Sequence, residues 1–188
     1  MVSNGQVRRQ LLQCMNPKVF YSFVLMIIAS CGRCAAATNL LFVHKGGIMA
    51  QGSVSKGREQ IDLIQISTVT LSDSQLRDFW VDLSPSNRVT FTELGENAIK
   101  QICSTNFALE SSGTVSNMYY VGGYSFAFSG GRLITLQASR YGFPPKEAAT
   151  FTKVGSKHNQ SSISLPCSLD DFEKVFGKAD KIERGFGW

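Results

Sequence analysis

Two periods of hydrophobic and polar residues divide this chain. Ile61-Asp-Leu-Ile-Gln-Ile-Ser-Thr-Val-Thr70 is β-branched and partly alternating, which predicts a strand. Ser72-Asp-Ser-Gln75 then has the form of a capping box. Leu76, Phe79, Trp80 and Leu83 follow at i, i+3, i+4, i+7, so the spacing predicts a helix from Ser72 to Leu83, ended by Ser84-Pro85-Ser86-Asn87. A second helix is expected over Glu93–Cys103, with Leu94, Ala98, Ile99 and Ile102 on one side and Gly95 weakening it. From Met118 the period changes to two. Met118–Val121, Tyr124–Phe128 and Arg132–Gln137 read as strands joined by Gly122-Gly123 and Ser129-Gly130-Gly131, an antiparallel meander. Lys146–Phe151 reads as a helix or loop, Lys153–Ser161 as a polar stretch, and Ser162–Leu165 as a short strand.

The clearest helix lies near the C-terminus. Ser168 is its expected N-cap, with Asp171 three residues on. Leu169, Phe172, Val175 and Phe176 form the apolar face. Asp170, Asp171 and Glu173 lie early and Lys174 and Lys178 late, as the helix dipole favours, and Gly177 is suited to the positive-φ exit.

The N-terminal pattern is of another kind. Lys18 precedes a thirteen-residue uncharged run, Val19–Cys31, followed by small residues, the layout of a secretory signal. The run is short for a membrane span. Met15-Asn-Pro-Lys18 would make a more usual n-region than Met1 does. Two cleavage patterns fit. Ile28-Ala29-Ser30-Cys31 resembles a lipobox with Cys31 lipidated, and Ala35-Ala36-Ala37 resembles an ordinary site with release before Thr38. Residues 38–59 contain Gly46, Gly47, Gly52 and Gly57 without sustained periodicity and read as a tether, with a short strand at Leu40–Val43. The expected organisation is therefore a leader over 1–37, a tether over 38–59 and a domain over 60–188.

Charge changes the picture only after the leader is set aside. Residues 1–37 hold Arg8, Arg9, Lys18 and Arg33 and no acid, so they carry +4 of the formal +5 and leave +1 for the body. The basic balance is thus no nucleic-acid footprint. Cys14, Cys31 and Cys34 sit in or beside the leader, leaving Cys103 and Cys167 in the body. In an oxidising compartment these two form a disulfide or remain buried thiols, and both readings stay open.

SLDDFEKVFGKADKIERGFGW resembles the recurring unit of small bacterial envelope lipoproteins of the SmpA/OmlA type and of the β-lactamase-inhibitor-protein fold. In that unit a short helix ending in Gly-x-Pro-Asp leads to a Trp-bearing strand. Lys178-Ala179-Asp180 lacks the proline, and Trp188 is the last residue where the unit would continue into a hairpin. The resemblance covers the C-terminal segment and implies helix-plus-meander modules that bind other proteins, with no enzyme. The fold expected is α+β, short amphipathic helices packed on an antiparallel meander, divisible into two helix-plus-meander units with the second truncated.

Catalytic chemistry has few candidates. His44 falls in the expected tether and His158 in a polar stretch, neither with a partner at metal-ligand spacing, so no metal or cofactor is expected. Cys103 followed by His158 is the order found in cell-wall cysteine peptidases, although Gln101-Ile-Cys-Ser-Thr105 does not resemble their nucleophile motif. Tyr119, Tyr120, Tyr124 and Tyr141 are dense enough to form a recognition row on the sheet, or else to line its core. Two functions result. One is a non-catalytic exported envelope protein, anchored through Cys31 in the outer membrane or periplasmic, that binds another envelope protein as assembly accessory, inhibitor or immunity factor. The other is a cell-wall cysteine hydrolase using Cys103 and His158.

Overall fold

The computed structural model describes residues 38–84, 86–103, 105–111, 114–141 and 153–187. Alternation begins at once. β1 (Thr38–Lys45) and β2 (Ile48–Ser55) bury Leu41, Val43, Ile48 and Ala50 and leave the residues between them half-buried. The segment read as a tether is thus two strands and the start of β3 (Arg58–Ser67). Its glycines do not punctuate a linker: Gly46-Gly47 and Lys56-Gly57 are the two-residue turns of successive hairpins. Gly52 lies where the β2–β3 register shifts, so alternation is broken there.

The segment expected as one helix from Ser72 to Leu83 divides in two. The capping box forms, with Ser72 Oγ accepting from Gln75 N and Ser72 N donating to Gln75 Oε1. Helix α1 spans only Asp73–Asp78, and Phe79–Ser84 is strand β4. Phe79, Trp80 and Val81 favour an extended pleated surface, and their spacing fits both periods over so short a run. β5 (Asn87–Thr90) follows, then α2 (Glu96–Ile102), which starts later than expected because Gly95 is its N-cap. Ile99 is buried on α2, whereas Ala98 and Ile102 face solvent. After β6 (Thr105–Ser111), the meander forms as β7 (Thr114–Val121), β8 (Tyr124–Ser129) and β9 (Arg132–Ser139), antiparallel throughout. β10 (Lys153–Ser156), β11 (Ser161–Ser164), α3 (Leu169–Phe176) and β12 (Lys181–Gly187) complete the chain. Ser168 caps α3 and Gly177 leaves it at φ +87, as read from sequence. The segment Lys146–Phe151 lies outside the described residues.

The fold is α+β, mostly antiparallel sheet with a few short helices. One sheet has the order β12-β1-β2-β3-β9-β8-β7-β6 and the other β11-β10-β4-β5. β3 lies beside β9 and β4 beside β10, so the halves interleave rather than form serial helix-plus-meander units. In the large sheet, register aligns Val43, Ala50, Ile64, Ala138 and Tyr124 in one row, and Ile48, Ile66, Leu136, Phe126 and Tyr119 in the next. In the small sheet, Ile163, Val154, Val81 and Val89 form the matching row. Most of these side chains join one core cluster, which also takes in Phe172, Val175 and Phe176 of α3. Phe79 meets Phe176 edge-on at 5.3 Å. Each such side chain contributes about 1.5–3 kcal/mol when fully buried.

Candidate binding cleft

Alternation that sends Phe79 and Val81 inward puts Trp80 and Asp82 on the opposite face of β4. The cross-strand rows of that face are Ser162–Gly155–Trp80–Thr90 and Ser164–Lys153–Asp82–Arg88. Gly155 is required here. A Cβ at that position would stand 2.0 Å from Cζ2 of Trp80 and 2.3 Å from Cε2, so the indole lies directly on the β10 backbone. The Arg88 guanidinium covers the ring, with Cζ 3.5 Å from its centroid, a cation–π contact. Arg88 also donates from Nε and Nη2 to the two carboxylate oxygens of Asp82, at 2.7 and 3.1 Å. That pairing, with Asp82 only 8% exposed, raises Arg88 above its ordinary pKa.

Around this stack opens a cleft of about 460 Å³, lined by Trp80, Arg88, Lys153, Lys157, Gln160 and Ser162 together with Ser156 and Ser161. One wall is the turn 157–160 between β10 and β11, and it is pinned on both sides. Asp78, ending α1, accepts from Ser156 Oγ at 2.7 Å and from the His158 N–H. Asn159 donates from Nδ2 to Val175 O at 2.6 Å, and Ser161 Oγ donates to Lys174 O at 3.0 Å, tying the turn to the end of α3. Glu93 lies within the field of Lys157 but is held below the usual carboxylate range chiefly by the Thr90 hydroxyl and N–H. Every acid near the cleft therefore already holds protein donors, whereas Lys153 and Lys157 make no salt bridge among the described residues.

The residues singled out from sequence lie elsewhere. Tyr119 and Tyr124 are buried, Tyr120 is half-buried and Tyr141 is exposed, stacked beneath Arg140. A continuous tyrosine row facing water does not form, because Tyr124–Phe128 of β8 are buried on both faces. Tyr119 instead donates to Glu96 Oε1 at 2.9 Å, docking α2 on β7. Tyr124 links the two sheets. Its hydroxyl accepts from Lys153 N at 2.6 Å and lies 2.9 and 2.8 Å from the carbonyls of Asp82 and Lys153, to either of which it can donate. Burial raises its pKa well above the ordinary phenol value.

Cys103 and Cys167 are both free thiols rather than a disulfide. Cys103 caps α2 and donates to Lys100 O at 3.2 Å, while Cys167 pairs through its backbone with Ile61 of β3. Burial pushes the Cys167 thiol up to about 12. His158 is in the pinned turn, and no hydrogen bond joins it to Cys103 among the described residues. His44 is not in a tether but on β1, 3.2 Å from Glu183 of β12. Among the described residues no three His, Cys, Asp or Glu side chains cluster as metal ligands. Cys31 lies outside the described residues.

The cleft itself escaped the sequence reading. Trp80-x-Asp82 and Arg88-x-Thr90 carry a period-two signal, but pairing β4 with β10 is a long-range event that local spacing does not encode. No protein-family model, curated protein or solved structure matches this chain.

Proposed function

We propose that this chain is an exported, non-catalytic envelope protein that binds another protein through the outer face of its small sheet. In this reading it serves as an assembly accessory, inhibitor or immunity factor. The observation that carries it is the Trp80–Arg88 cleft. An aromatic and a guanidinium are fixed by neighbours, flanked by exposed donors and walled by a turn pinned at Asp78 and Val175. The guanidinium is the exposed member, held over the buried Trp80 ring, and a rigidly supported Arg is a feature that concentrates binding energy at protein interfaces. The C-terminal resemblance to envelope lipoproteins agrees with it, as does the uncharged run Val19–Cys31. Export places the anchor at Cys31, and Gly32 in place of an aspartate favours the outer membrane over retention at the inner one. β1 begins at Thr38, so cleavage before Cys31 or before Thr38 leaves every described strand intact.

The test is capture of the partner from the native envelope by tagged protein. A Ser162→Trp variant fills the cleft from an exposed strand position and loses the captured protein. Lys56→Trp, in the β2–β3 turn, keeps it. Equal capture by both variants would reject the cleft as the interface.

A further inference from the structure

We infer that the cleft selects a carboxylate-rich, extended segment of its partner, an inference that rests on the binding role proposed above. Lys153 and Lys157 start the argument. Lys153 opens β10 and Lys157 follows its last residue, opening the 157–160 turn; both line the cleft, and the four-residue step between them spans at most about 13 Å at 3.3 Å per residue. An extended peptide repeats its side chains on one face at the same period, so acids four residues apart match this span.

The electrostatics are one-sided at the cleft surface. The lining holds Arg88, Lys153 and Lys157 and no acid; Asp82 is matched by Arg88, while Asp78 and Glu93 keep their charge outside the lining, their oxygens taken by neutral donors. Asp82 holds Arg88, Asp78 holds Ser156 and the His158 N–H, and Glu93 holds Thr90. The two ammoniums face the cleft without a salt bridge among the described residues. Arg88 commits Nε and Nη2 to Asp82 and leaves Nη1 for an incoming carboxylate. Ser162, exposed on β11 beside Gly155, adds a hydroxyl between the cations. A lone phosphate is the poorer match. The donors are spread along a strand face instead of converging as a nest of backbone N–H groups.

The test follows amide and indole resonances of the ¹⁵N-labelled protein during titration. The probes are acetyl-Glu-Asp-Glu-Asp-Glu-amide, the same peptide with Gln and Asn throughout, and inorganic phosphate. The expected result is saturable shifts at Lys153, Lys157, Ser162 and the Trp80 indole with the acidic peptide, at least tenfold weaker binding of the amide peptide, and weakening with salt. Lys153→Gln and Lys157→Gln each weaken the acidic peptide about fivefold while resonances outside the cleft stay in place. Equal binding of the two peptides overturns the inference, as do unchanged affinity in both variants and phosphate that saturates the same shifts at lower concentration. If acidic preference is absent but Ser162→Trp still abolishes capture, this inference alone falls. If Ser162→Trp leaves capture intact, the interface reading beneath it falls as well.

Discussion

Burial holds the Cys167 thiol protonated to about pH 12, whereas a thiol in the unfolded chain releases its proton near 8.5. Above that lower value the unfolded state binds fewer protons than the folded one, so stability falls as pH rises. The loss continues until the folded pKa is reached, at up to about 1.4 kcal/mol per pH unit. Denaturant melts at pH 8 and pH 10.5 therefore differ by about 2 kcal/mol more in wild type than in Cys167→Ala. Equal differences would show that Cys167 is not buried as described. The same placement predicts that iodoacetamide labels Cys103 in the native protein and reaches Cys167 only on unfolding, which peptide mapping resolves. Reductant should leave the melting temperature unchanged, since the two thiols are free.

The pairing of β4 with β10 is the element on which the cleft depends, and Gly155 is its narrowest point. A methyl there collides with the rigid indole of Trp80, and neither the ring nor the β10 backbone can yield without breaking the Val81–Val154 row behind it. Gly155→Ala is expected to cost about 1–3 kcal/mol by overpacking. In a Trp188→Phe background it should also shift Trp80 emission to the red as the ring leaves its buried site. A variant with unchanged midpoint and emission would contradict the packing. Local patterns read such elements unevenly. α3 was legible because Ser168, Asp171, the apolar face and Gly177 all specify the same helix. The meander was legible because glycine pairs bound each strand. Ser72–Leu83 was not, since its cap is a true helix start while Phe79 is claimed by strand pairing with Ser156 and Trp80 by pairing with Gly155 and Thr90. In 38–59 the hairpin glycines were visible but the shifted register at Gly52 hid the alternation across it.

At the scale of the molecule, the two sheets share one core and are joined by the Tyr124 hydroxyl. Its ring lies in the large-sheet row and its oxygen reaches the backbone of β4 and β10. Tyr124→Phe keeps the ring and leaves Lys153 N–H unpaired, a loss of about 1–3 kcal/mol. Hydrogen exchange should speed at Lys153 and its neighbours in β4 and β10 while β1 and β2 retain their protection. Unchanged exchange in the small sheet would show that this bond does not couple the layers. The tyrosines were visible as a dense group in the sequence, but which of them face water depends on layers brought together from distant segments. The cleft was invisible for the same reason.

The binding role proposed above puts the partner on the outer face of the small sheet. Photocrosslinking in the intact envelope tests it most directly, with p-benzoylphenylalanine placed at Ser162 or, separately, at Lys56. One discrete adduct is expected from Ser162, lost when Lys153 and Lys157 are both changed to Glu, and no such adduct from Lys56. An adduct from Lys56 alone, or none from Ser162, would contradict it, whereas a Ser162 adduct indifferent to both lysine changes would remove only the acidic preference.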